Sequence, residues 1–287
     1  MALGTSAAGR SKRHEFGRLI DPRRLIRSLT RNRELLWQLT RREILGRYRG
    51  SYLGVAWALL TPLASLAVYT FVFSYVFNAR WTTAAGEPSL AGFALILFTG
   101  IVTYNIFGES LVNSPYAVTR NPNYVTKVVF PLEILPIALV GAAVFHSFIG
   151  MGIIALALLL QGGLSPTILY LPLVYLPLIA FTAGVSWTVA ALGVFLRDIG
   201  HMAGVAVQLL FFLTPILYPV TALPEPAQPW MRLNPMATIV EDFRRVVLWN
   251  QPPDWAWYSL SLIASIGVML AGYACFMALR RAFADVI

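Results

Sequence analysis

Apolar positions along the chain gather into six long runs, at roughly 53–77, 90–108, 134–160, 169–196, 202–219 and 259–279, and a helix needs about 20 mostly apolar residues to cross a bilayer. Each run is therefore long enough for one span. The third and fourth exceed that length, which predicts tilt or extension past the lipid. The fifth is the weakest, because Pro215 and Pro219 interrupt its end. Proline is tolerated in membrane helices where neighbours satisfy the freed carbonyls. The pattern predicts an all-α polytopic membrane protein of six transmembrane helices. It divides into a basic tail over 1–30, an interfacial helix region over 31–50 and a transmembrane domain over 51–287.

The breaks between the runs are unequal. QGGLSPT, within 160–168, is a short turn, whereas 109–133 is longer, polar and basic. The segment 219–258 carries Pro219, Pro224, Pro226, Pro229, Pro235, Pro252 and Pro253 together with Trp230, Trp249, Trp255 and Trp257. From Met236 it reads as a short amphipathic helix. Apolar residues, interfacial Trp and breaking Pro predict re-entrant half-helices before the last span, covered by protein or water. In the arm, Leu35, Leu36 and Leu39 fall on one side of a helical wheel and Trp37, Ile44 and Tyr48 nearly opposite. That argues for a kink or two short helices rather than one clean surface helix.

Composition agrees with burial in lipid: 57% of the 287 residues are hydrophobic and only 12% charged, against about 25% charged in soluble domains. The net charge of +9 is uneven, since 13 of the 22 Lys and Arg precede Ser51. A basic arm joined directly to a span meets anionic lipid headgroups rather than nucleic acid. Placing the N-terminus in the cytoplasm puts 18 basic residues inside and 4 outside, which the positive-inside rule favours. Both termini are thus expected in the cytoplasm. The first thirty residues hold no apolar core of the kind a cleavable signal peptide needs. Cys275 alone makes no disulfide framework or multi-Cys metal site.

Little catalytic chemistry is legible. No Walker A sequence occurs, so the chain is not expected to bind ATP by that route. His14, His146 and His201 are scattered, with no acids spaced to make a metal or hydrolase site. Glu109 and Glu133 sit near the inner ends of the second and third spans and read as surface groups or local ion pairs, and His146 as a hydrogen-bonded packing residue. Glu241–Asp242 is the dense acidic site of the outer segment. An enzyme acting on lipid-linked sugars would need it, but Arg244 and Arg245 one turn on favour a local helix-surface ion pair. Tyr69, Phe73 and Phe77 recur every four residues, and Phe211 and Tyr218 lie in the fifth run. These aromatics either face lipid or line a path on which sugars stack.

RREILGRYRGSYLGVAWALLTPL (41–63), RNPNYVTKVVFPLEILP (120–136), FLRDIGH (195–201) and LNPMATIVEDFRRVVL (233–248), in that order, resemble the type-2 ABC transporter permeases. Within them the match is to the branch that exports bacterial surface polysaccharides such as O-antigen, teichoic acid and capsule. The resemblance covers about residues 30–280. It implies a homodimer in the bacterial inner membrane, each subunit bound to a separate ABC ATPase that holds ATP and Mg, with no cofactor in this chain. It implies a polyprenyl-pyrophosphate-linked glycan as substrate and an ATPase-coupling surface at Glu34, Arg120, Asn123, Tyr124 and Lys127. Arg41, Arg42, Arg47 and Arg49 are placed either to meet the lipid pyrophosphate or to anchor the arm by the positive-inside rule. A permease for small drugs is the alternative within the family.

Overall fold

The computed structural model describes residues 22–50, 52–72, 90–127 and 129–287. The arm folds as α1 (Pro22–Arg31) and α2 (Arg33–Gly46), broken at Asn32, where φ is −103° and ψ 20°. The break precedes the wheel conflict rather than resolving it. α2 runs unbroken, burying Leu39, Thr40 and Ile44 and leaving Trp37 exposed.

After a turn comes α3 (Trp57–Thr70), with Pro62 inside it and no residue buried. α4 spans Leu90–Asn113, five residues beyond the apolar run that predicts it. Its polar end stays helical because Ser110, Asn113 and Ser114 each bond a carbonyl one turn back, at 2.7–2.8 Å. This self-satisfaction of polar side chains is what a helix in lipid requires. α5 (Pro122–Thr126) is a short helix in the expected inner loop, followed by α6 (Ile134–Gln161), which fits the third run to within a residue. Gly162 and Gly163 turn the chain at φ 135° and 122°, values open to glycine and strained for other residues.

α7 (Leu171–Phe195) and α8 (Ile199–Leu213) follow. α8 stops short of the expected 219 because Thr214 is extended (ψ 136°) before Pro215, as residues preceding proline favour. Two short helices, α9 (Gln228–Arg232) and α10 (Pro235–Val247), occupy the expected re-entrant segment. α10 is capped by Asn234, whose side chain accepts from the Met236 N–H at 3.0 Å. The last long helix, α11 (Trp255–Leu279), is capped likewise by Asp254.

Among the described residues four helices are long and apolar enough to cross a membrane, at Gly92–Tyr116, Ile134–Gln161, Pro166–Phe195 and Trp255–Asp285, and α3 and α8 are shorter apolar helices. α7 and α11 form the most extensive pair. They meet so closely that a Cβ on Gly272 would stand 2.0 Å from the Gly184 carbonyl oxygen, the small-residue contact that lets helices pack in lipid. One apolar core joins α4, α6, α7 and α10. A second, around Trp187, Phe276 and Phe283, gathers Leu25 and Leu39 of the arm. The arm is thus packed against the bundle at one end, called here the arm end, and α9 and α10 close the far end. α3 and α8 have the least cover: Leu59, Leu60, Leu63 and Val68 on α3, and Met202, Val205, Leu209 and Phe212 on α8, are exposed.

Candidate substrate and coupling site at the arm end

Beyond Gly46 the arm turns back toward α3, and Arg47 comes to lie beside the last turns of α4. Its Nη1 is 2.5 Å from Glu109 Oε1 and 3.1 Å from His146 Nδ1, and His146 Nδ1 is 3.1 Å from the same Glu109 oxygen. Three segments that are 37 to 99 residues apart in sequence supply this triad. Tyr48 stands edge-on to the imidazole, ring centroids 5.8 Å apart. Burial raises the Tyr48 phenol, and the neighbouring Arg47 charge lowers it. The triad borders a cavity of ≈ 200 Å³ whose other walls include Trp57, Thr61, Ser65 and Asn105. On its other side Arg47 and Glu109 border a second cavity, of ≈ 300 Å³, shared with Glu43 and Asn113. A guanidinium half open to such spaces can take a phosphate or carboxylate through two parallel hydrogen bonds.

The remaining arm arginines part company with Arg47. Arg42 Nη2 bonds Glu43 at 3.2 Å, and Arg42 reaches Tyr124 Oη at 3.3 Å and Asn121 Oδ1 at 3.4 Å. Arg41 and Arg49 are exposed. Tyr124 stacks on Phe130 with ring centroids 4.2 Å apart, and Arg120 lies over the Tyr116 ring at 4.8 Å. Glu34, Arg120, Asn123 and Lys127 are exposed, so an arm-and-loop surface is presented there.

Behind that surface Glu133 makes a closed junction. Oε1 accepts from Ser28 of α1 at 2.7 Å, Oε2 from Arg280 at 2.8 Å, and the backbone oxygen from the Trp187 indole at 2.8 Å. Arg280 also donates to the Phe130 carbonyl at 2.9 Å. Glu109 and Glu133 are thus both ion-paired.

At the far end the reading of Arg244 as a helix-surface ion pair needs correction. Its contact with Glu241 is 3.7 Å, yet the residue is wholly buried and donates to the carbonyls of Ile96, Pro215 and Ile216. Those of Pro215 and Ile216 belong to the turn just past the end of α8, and a buried carbonyl without a partner is costly. Asp242 accepts the Asp254 N–H at 3.1 Å and so braces the start of α11. Burial pushes its carboxyl up to about 6. The acid pair is a bracket for helix ends rather than a matched acid and base.

The family model for ABC-2 type transporters matches residues 34–248, which take in α2, the triad and α10. The chain belongs to the ABC-2 type transporter family. Among its ABC-2 relatives, the O-antigen export system permease protein RfbA of Myxococcus xanthus is 30% identical over 270 residues, covering 92% of this chain and 99% of the relative. RfbA of Klebsiella pneumoniae is 26% identical over 257 residues, 88% of this chain and 95% of the relative. The polysialic acid transport protein KpsM of Escherichia coli is 23% identical over 215 residues, 72% and 78% of the two chains. The resemblance read from the motifs is borne out at the level of family and branch.

In this ABC-2 chain the expected site residues fall into separate groups. Of the four candidate arginines, Arg47 borders both cavities and Arg42 ties the arm to Tyr124. Tyr69 and Phe211 meet at 6.5 Å between centroids, and Tyr104 meets Phe211 edge-on at 5.3 Å. Tyr218 instead donates to the Phe212 carbonyl at 2.8 Å. Phe73 and Phe77 lie outside the described residues. Sequence reasoning missed the joining of Glu109 and His146 to Arg47. Each stood out singly as an ionisable group within or near a span, but nothing periodic links them.

Proposed function

We propose that the chain is the permease subunit of an ATP-driven exporter that moves a lipid-linked surface polysaccharide, O-antigen-like and polyprenyl-pyrophosphate-linked, across the inner membrane. The observation that carries this reading is the likeness to two O-antigen export permeases along nearly the whole chain. The subunit is not itself an enzyme in this reading. Energy comes from a pair of separate ABC ATPases, which bind the ATP and Mg. Both termini are cytoplasmic, so the arm end faces the ATPases. The thinly covered α3 and α8 suit a second copy of the chain, which makes a homodimer with the glycan path between subunits. The aromatic cluster at Tyr69 and Phe211 borders that path.

Coupling follows from the way the arm is tied down. An ATPase closing against Glu34, Arg120, Asn123, Tyr124 and Lys127 moves α5. The bonds from Arg42 to Tyr124 and Asn121 pass that motion to α2, and Arg47 lies just past its end. The phosphate headgroup is received at Arg47, and anionic lipid steadies the rest of the arm. The test is reconstitution with the partner ATPase and a defined lipid-linked glycan. Arg120→Glu with Lys127→Glu is expected to abolish glycan-stimulated ATP hydrolysis while insertion stays normal. Undiminished stimulation and export would sink the docking assignment.

A further inference from the structure

An arginine that receives a phosphate gains nothing from a carboxylate already bound to it, yet Glu109 Oε1 sits 2.5 Å from Arg47 Nη1. The contact is not sealed: the Arg47 side chain is 48% exposed and that of Glu109 25%. The imidazole of His146, on α6, completes the triad. Its Nδ1 lies 3.1 Å from Arg47 Nη1 and 3.1 Å from Glu109 Oε1. One ring nitrogen cannot accept from a guanidinium and donate to a carboxylate at the same time. Two hydrogen-bond arrangements therefore compete for one atom. In one, Nδ1 accepts a hydrogen bond from Arg47 Nη1–H and Glu109 depends on Arg47 alone. In the other, Nδ1–H points to Glu109 and Arg47 is released toward the cavity. Nε2, on the opposite side of the ring, is buried and finds no hydrogen-bond partner among the described residues.

We propose that Glu109 is a resident stand-in for the phosphate of the substrate headgroup, and that His146 is the berth to which its carboxylate transfers when the headgroup reaches Arg47. This deepens the export reading and rests on it. A pyrophosphate carries more negative charge than a carboxylate and also fits the guanidinium fork, so it wins the exchange. A neutral headgroup cannot, and a singly charged phosphodiester competes less well. Displacing the carboxylate would otherwise leave a charge unpaired in a half-buried place, a large cost. The Nδ1–H of His146 removes that cost. Glu109 thus sets a threshold of charge for entry, and His146 is its positioning residue.

The experiment measures binding to the purified chain in phosphatidylcholine nanodiscs, with undecaprenyl pyrophosphate in one arm and soluble inorganic pyrophosphate in the other. Glu109→Gln is expected to tighten binding about tenfold and His146→Leu to weaken it about tenfold, each shift near 1.4 kcal/mol. In the Glu109→Gln background His146→Leu should have no further effect, since no displaced carboxylate is left to receive. A purely structural triad would weaken binding in both variants. Glu109→Gln bound no tighter than the parent overturns the proposal. If that variant does not fold, Glu109→Asp, with a shorter reach to Arg47, must tighten binding or the proposal fails. Arg47→Gln without effect would instead remove the headgroup site itself, a failure of the export reading distinct from that of the stand-in. The same ordering in both arms assigns the threshold to phosphate alone; the ordering in the lipid arm alone assigns it to the lipid-borne headgroup, and either supports the exchange.

Discussion

Glu133 and Glu109 are two carboxylates at the arm end that each hold an arginine, Arg280 at 2.8 Å and Arg47 at 2.5 Å, and they differ in their surroundings. Each oxygen of Glu133 has its own donor, from α1 and from the end of α11, and its side chain is 6% exposed. Both contacts of Glu109 fall on one oxygen, and cavities border it on two sides. A carboxylate with a full set of donors is a fastening, because removing any of them strands charge in the interior. A carboxylate that shares one oxygen between two donors can trade them. The same ion-pair chemistry makes a fixed joint in one place and an exchangeable one in the other.

The comparison breaks most readily at Glu133. Glu133→Ala leaves Arg280 and Ser28 without their acceptor and should cost about 3 kcal/mol, read as a lowered midpoint of thermal or denaturant unfolding in detergent. A variant as stable as the parent would show that the joint is not a fastening. Ser28→Ala removes a single neutral donor and should cost about 1 kcal/mol, with the arm becoming more open to proteolysis. Unaltered cleavage would place the arm's attachment in Leu25 and Leu39 instead. Glu109→Gln is expected to be the mildest, under about 1 kcal/mol, because a neutral amide leaves no buried charge behind and Arg47, 48% exposed, is left to water. Equal losses at Glu109 and Glu133 would erase the distinction.

Much of the fold was legible because membrane helices announce themselves by length. The third apolar run matches α6 within a residue, since both ends meet breaks in hydropathy. Misplaced ends have local causes. α4 runs on through Glu109 because its polar residues bond within the helix, and α8 stops early because Pro215 holds Thr214 extended. The site was legible only in parts. The Arg-rich junction marks where the arm meets the first span, yet it cannot tell that Arg42 turns to Tyr124 while Arg47 turns to Glu109. Arg244 misled for a similar reason. A residue three positions from a glutamate looks like a surface partner until the broken end of α8 is packed against it.

The crossing of Gly184 and Gly272 carries a mechanical consequence. With the backbone of one helix filling the space a Cβ of the other would need, α7 and α11 cannot ratchet past each other by a turn, and they swing as one bar. α11 runs straight into Arg280, which grips Glu133 and the Phe130 carbonyl at the end of the loop that carries α5. A pull on that loop enters the bar at one end. The other end of the bar lies twenty-five residues away, where Trp255 meets Tyr170 edge-on.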